Sequence, residues 1–172
     1  MRDARPREDA PRLEVAAPRE DAAPPKVPAP REDASPRSYQ IFTDGASRGN
    51  PGHAGLGIVI LDDAGNSILE CHEYIGQSTN NVAEYRALLL AMEKVLTLPP
   101  APAVFHLDSE LVVRQLNGQY KVKDEKMKLL FEQVRRQLTK LTGARFVHVT
   151  RDKNGRADKL ANEAIDGAVG AG

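Results

Sequence analysis

Four carboxylates in this sequence could do chemistry together, and one of them has no ordinary structural role. The sharpest case is Glu84, in STNNVAEYRALLLAM (78–92), where Tyr85, Leu88, Leu89 and Met92 recur at helical spacing. Glu84 precedes Leu88 by four residues and Met92 by eight, and side chains four apart share a helix face. No lysine or arginine occupies that stripe. A buried carboxylate costs several kcal/mol unless something compensates it, and Glu84 is neither cap nor turn residue. Three further acids invite the same question: Asp44 before Gly45, Asp108 in VFHLDSE, and Asp158 in NGRADKLAN. Each has a plainer alternative. Asp44 suits a turn, Asp108 a helix cap, and Asp158 the positive end of a helix dipole. If the four converge, they repel one another or hold protons, and divalent cations remove the difficulty. Carboxylates and water suit hard ions such as Mg²⁺ or Mn²⁺. The sequence offers no cysteine–histidine cluster for zinc, no Walker-type GK[ST], and only a Gly55-x-Gly57 pair, without the third glycine of a dinucleotide loop.

The elements that would carry these acids follow from the pattern. Tyr39–Asp44 alternates as a strand ending on Asp44, and RGNPG (48–52) is a turn. AGLGIVIL (54–61) and Ser67–Ile75 are the next strands. A helix runs from about Asn80 to Leu96 and stops before Pro99-Pro100. Ala103–Leu107 is a short buried strand that places Asp108 at its end. Helices follow at about Ser109–Leu116 and Glu125–Leu141, then a strand at Arg145–Thr150. The last helix, Gly155–Ile165, has Asn154 as its cap. Three strands joined by tight turns predict an antiparallel meander, and strands separated by helices predict parallel additions. The expected fold class is α/β, a mixed five-stranded sheet with helices on both faces. Sites in such sheets form beyond the strands' C-terminal ends, where Asp44 and Asp108 become neighbours if their strands are adjacent.

Residues 1–37 differ in texture. They hold eight of the twelve prolines, eight basic and eight acidic residues, and PREDA at 6–10, 18–22 and 30–34. Such a segment is expected to be a disordered tail, acting either as a solubilising linker or as a docking arm for an unknown partner. The folded domain is expected over 38–168, with 169–172 as a flexible end. One cysteine, Cys71, excludes an intrachain disulfide and fits a cytoplasmic setting. No apolar run suits a secretory signal or a membrane span, so a soluble protein is expected, with monomer as the default state.

FTDGASRGNPG (42–52), AGLGIVI, STNNVAEYRALLLAM, HLDSELVVRQLNGQYKVKDEKM (106–127) and NGRADKLANEA (154–164) together resemble type 1 ribonuclease H. The resemblance covers about 38–167, with four motifs in the family's order. It implies a ribonuclease H-like fold and Asp44, Glu84, Asp108 and Asp158 as ligands of two Mg²⁺ ions, with Mn²⁺ as a substitute. It also implies cleavage of the RNA strand of RNA–DNA hybrids, leaving 5′-phosphate and 3′-hydroxyl ends. Two metals about 4 Å apart activate a water and stabilise the leaving oxygen, with Asp44 the natural bridge. The resemblance places Gly45, Asn50, Asn80 and Asn81 near the hybrid, where an amide can both donate to and accept from a 2′-hydroxyl. Thr79 is expected to hold a DNA phosphate. The alternative role for Asn80 and Asn81 is helix capping.

Charge distribution adds to this. Between Arg114 and Arg156 stand twelve basic residues against four acidic ones, an excess of eight on a chain of formal charge zero. Such a patch suits phosphates, although a solvated helix face accounts for part of it. The connection from Leu116 to Lys126 is short, so the extra basic protrusion of some family members is expected to be absent. Many members also carry a histidine on the loop before the last helix. Here His148 falls within the expected strand, and Arg151, in the RDKN turn (151–154), takes that place. An arginine there steadies phosphate charge, since it does not relay protons. Two rival readings remain: another metal-dependent nuclease or integrase of the same fold, and a non-catalytic hybrid-binding module. TNNxxE and the DS after the fourth strand favour the nuclease acting on hybrids, and the full set of carboxylates argues against a decayed site.

Overall fold

The computed structural model describes residues 36–170. The expectations for the PREDA repeats and for the last two residues lie outside that range. The order is β1 (Tyr39–Gly49), β2 (Gly52–Asp62), β3 (Ser67–Ser78), α1 (Asn80–Val95), β4 (Ala103–Leu107), α2 (Glu110–Leu116), α3 (Glu125–Leu138), β5 (Ala144–His148) and α4 (Gly155–Ile165). A tight helical turn at Arg151–Asn154 leads into α4, and a wider one at Asp166–Gly170 follows it.

The sheet order is β3-β2-β1-β4-β5. β1 and β2 pair antiparallel, as do β2 and β3, while β4 joins β1 in parallel and β5 joins β4 in parallel. The expected meander with two parallel additions is therefore the observed sheet. β1 is longer than its alternation suggested. It passes through Asp44 to Gly49 because β2 continues to pair with it, from Asp44 opposite Gly57 to Gly49 opposite Gly52. β5 ends at His148, two residues earlier than expected. Thr150 is already committed to the next turn, where its carbonyl accepts from the Lys153 N–H at 3.0 Å.

Neighbouring residues on a strand face opposite sides, and two glycines show what each side carries. A Cβ on Gly45 would lie 2.2 Å from the Ala83 backbone of α1. A Cβ on Gly57, on the other face, would lie 2.0 Å from the Ala157 carbonyl of α4. Both helices thus lie on strand backbone at distances that admit only glycine. On the α1 side, Ile41, Leu56, Ile58 and Ile60 bury fully against Tyr85, Leu88 and Met92, joined by Phe105 and Leu107. Each such side chain contributes about 1.5–3 kcal/mol of burial, which anchors the helix bearing Glu84. Among the described residues no helix is long and apolar enough to cross a membrane.

Candidate active site

The parallel register sets two of the acids side by side. β1 pairs Phe42 with His106 of β4, and continuing that offset by two residues brings Asp44 level with Asp108. Asp44 is a mid-strand residue, 5% exposed. Asp108 directly follows β4. It is not the cap of α2, since Ser109 takes that role by accepting from the Val112 N–H at 3.3 Å. Glu84 reaches in from the buried face of α1 and is 7% exposed. One carboxylate oxygen from each of Asp44, Glu84 and Asp108 lies within 4.8 Å of the others. Asp158 stands in the first turn of α4, outside that triplet but near enough to Asp44 to help raise its pKa. The glycine at position 57 is what lets α4 come close enough for this.

Electrostatics follow from the crowding. Burial pushes the Asp44 carboxyl up to about 10, and the charges of Glu84 and Asp108 and the contact with Asp158 add to the rise. Burial likewise raises Glu84 to about 8, with Asp108 adding to it, while the Gly45 N–H and the Arg151 charge pull it back. The metal-free cluster therefore retains protons at neutral pH. The four acids open onto a cavity of about 390 Å³, in whose lining Arg151 is the one cation among the described residues. Glu84 Oε1 is buried without a hydrogen-bond partner among the described residues. An orphaned carboxylate oxygen beside two more carboxylates, with oxygen donors alone, fits a hard divalent cation.

The remaining expected residues divide. Gly45, Asn80, Asn81 and Arg151 line the cavity with the acids. Asn50 and Thr79 do not. The Asn50 side-chain oxygen accepts from the Asn80 N–H at 3.0 Å, tying the β1–β2 turn to the start of α1. Thr79, rather than either asparagine, caps α1, accepting from the Val82 N–H at 3.3 Å. That leaves the amides of Asn80 and Asn81 exposed to solvent at the cavity rim. His148 is the exposed last residue of β5 and is not among the lining residues.

Two features escaped sequence reasoning. Gly55 and Gly57, too weak as a dinucleotide motif, are the groove in which α4 lies, for a Cβ on Gly55 would sit 2.4 Å from the Ala161 carbonyl. Asn154 holds the cap position of α4 but makes no side-chain cap bond. It is 1% exposed, and its amide nitrogen donates to the Thr43 carbonyl at 2.9 Å and to Asp108 Oδ2 at 3.0 Å. Its partners are 111 and 46 residues away in sequence, so a local motif could indicate only a cap.

Comparison with known proteins agrees with this geometry. A family model described as reverse transcriptase-like matches residues 42–164. A bifunctional protein of Mycobacterium tuberculosis is 40% identical over 130 residues, covering 75% of this chain and 36% of its own length. A ribonuclease HI of Halobacterium salinarum is 40% identical over 127 residues, covering 74% of this chain and 64% of its own. The chain thus spans about a third of one relative and under two thirds of the other. Among solved structures, the ribonuclease H1 designated LC11, in complex with an RNA/DNA hybrid, superposes with a TM-score of 0.73 at 46% identity. That match covers 76% of this chain and 99% of the LC11 chain. Sheet order and flanking helices are thus those of a ribonuclease H-like domain. The chain belongs to the reverse transcriptase-like family.

Proposed function

We propose that this domain is an endoribonuclease that hydrolyses the RNA strand of RNA–DNA hybrids with divalent cations, Mg²⁺ first and Mn²⁺ as substitute, leaving 5′-phosphate and 3′-hydroxyl ends. The observation that carries this reading is the triplet of carboxylate oxygens within 4.8 Å of one another. Asp44 and Glu84 are buried and Asp108 is half-buried; the three include no basic partner and open onto a polar cavity. Relatives named as ribonucleases H, and the LC11 structure with its bound hybrid, support the same substrate class.

Asp44, Glu84, Asp108 and Asp158 would hold the cations, with Asp44 between the others. Bound there, two such ions supply the Lewis acidity that activates a water and neutralises the leaving oxygen of an in-line displacement. The protein's own contribution is positioning. The backbone N–H of Gly45 favours the charged form of the Glu84 carboxylate. Asn80 and Asn81 offer amides at the rim to the minor-groove edge of a hybrid, where the 2′-hydroxyl distinguishes RNA from DNA. Thr79 has its hydroxyl hydrogen free for a DNA phosphate while its oxygen caps α1. Arg151, exposed at the rim, stabilises charge developing on the scissile phosphate. No side chain forms a covalent bond to the substrate.

Eight residues, 117–124, join α2 to α3, which supports the absence of a basic protrusion and a correspondingly modest grip on the hybrid. The free Cys71 is in keeping with a cytoplasmic setting. Offering RNA–DNA hybrid, double-stranded RNA and duplex DNA side by side tests the substrate class. Cleavage confined to the RNA of the hybrid is expected. Equal cleavage of duplex DNA would move the protein to another nuclease of this fold.

A further inference from the structure

Asn154 joins three parts of the molecule through one buried side chain. Its amide nitrogen has two hydrogens. One goes to the carbonyl of Thr43, the β1 residue before Asp44, and the other to Oδ2 of Asp108. Both acceptors are fixed in kind, so the amide cannot be reversed without facing oxygen to oxygen on both sides. The residue also ends the Arg151–Asn154 turn, so the same two bonds tie the turn bearing Arg151 to the sheet. A cap role does not explain this, since the side chain makes no cap bond. Nor does simple packing, since its Oδ1 is buried without a partner among the described residues, a cost that an apolar residue would avoid.

We propose that Asn154 is a positioning residue for the cation centre. By donating to Oδ2 of Asp108 it fixes the rotation of that carboxylate. The other oxygen is thereby turned toward Asp44 and Glu84, and the spacing between β1 and the end of β4 is locked through the Thr43 carbonyl. Asn154 touches neither cation nor substrate and acts through Asp108. Groups that orient metal ligands typically govern metal affinity by 10–100-fold. The inference rests on the proposed cation-dependent function and adds a residue to it.

The test is calorimetric titration of the 172-residue chain with MgCl₂ and with MnCl₂, without nucleic acid, for wild type, Asn154→Ala and Asn154→Ser at equal folded fraction. We expect cation affinity to fall at least about tenfold in both variants. In cleavage assays the Mg²⁺ needed for half-maximal rate should rise in parallel, while KM for hybrid at saturating Mg²⁺ stays within about twofold. Wild-type affinity in either variant would overturn the proposal. A raised hybrid KM with unchanged cation affinity would also overturn it, because Asn154 would then act on substrate through the Arg151 turn. If neither variant folds, the wild type still decides. The Asn154 side-chain NH₂ resonances should shift on Mg²⁺ addition, and resonances unmoved at saturation would overturn the proposal. Failure of the wild type itself to bind cations would sink the proposed function as well, and so is distinguishable from failure of Asn154 alone.

Discussion

At the residue scale, the central fact is that Asp44 and Glu84 are buried together with no cation among the triplet. This has a consequence for stability in the absence of metal. A carboxyl whose folded pKa lies above its unfolded value binds protons more tightly in the native state. Its favourable contribution is full below about pH 4 and is lost as pH rises toward about 8 for Glu84 and about 10 for Asp44. Metal-free wild type should therefore melt at progressively lower temperature between pH 6 and 9. Asp44→Asn removes one of the repelling groups, so its melting temperature should fall less over the same range and exceed wild type by several degrees at pH 9. Parallel melting curves for the two proteins across that range would refute the repulsion. Arg151 and His148 supply a second residue-scale prediction. Arg151 lines the cavity and lowers the pKa of Glu84, while His148 is not in that lining. Arg151→Ala should cost about 2–3 kcal/mol of transition-state stabilisation, as for other single electrostatic donors, and His148→Ala far less. Turnover rates at equal folded fraction check the ranking, and the reverse order would return the role to His148. Glu84 was legible in the sequence because it contradicts its own helical stripe, a conflict that local rules expose; Asp44, Asp108 and Asp158 each had a plainer local reading, and only the motif resemblance set them beside it. Asn154 was not legible, because its two acceptors come from β1 and from the end of β4, and no local pattern encodes a contact across that distance.

At the element scale, strand and helix order could be read from periodicity and turn residues, and two strand ends moved, one through pairing with a neighbouring strand and one through a turn. β1 outran its alternation because β2 pairs with it beyond Asp44, and β5 fell short because Thr150 belongs to the following turn. The glycines of β2 carried the information least accessible to sequence. Their function is an absence of side chain where α4 crosses, visible only once the helix is in place. Gly57→Ala brings a methyl to 2.0 Å from the Ala157 carbonyl, and backbone rather than a flexible side chain must yield. We expect a loss of about 1–3 kcal/mol in denaturant unfolding. A drop in cleavage beyond that expected from the unfolded fraction should accompany it, because α4 carries Asp158. An alanine variant of wild-type stability would show that α4 does not sit against β2 as described.

At the scale of the whole molecule, a chain of formal charge zero concentrates an excess of eight positive charges between Arg114 and Arg156. If that segment meets hybrid phosphates, KM for the hybrid should rise steeply with salt while kcat changes little. The slope of log affinity against log salt counts roughly 0.7–0.9 per phosphate contact. A KM indifferent to salt between 50 and 200 mM would leave the basic segment as a solvated face. All four acids lie between residues 44 and 158, within the described domain. If these carboxylates hold the cations that drive RNA hydrolysis, removing the cation or a single carboxylate must stop cleavage. A hybrid labelled on the RNA strand is incubated with wild type and with Asp44→Asn, each with MgCl₂ and with excess chelator. Wild type with Mg²⁺ should cut the RNA into 5′-phosphorylated fragments, and both the chelator and the substitution should lower the rate by at least about a thousandfold. Cleavage by Asp44→Asn at near wild-type rate, or cleavage that persists in chelator, would contradict the account.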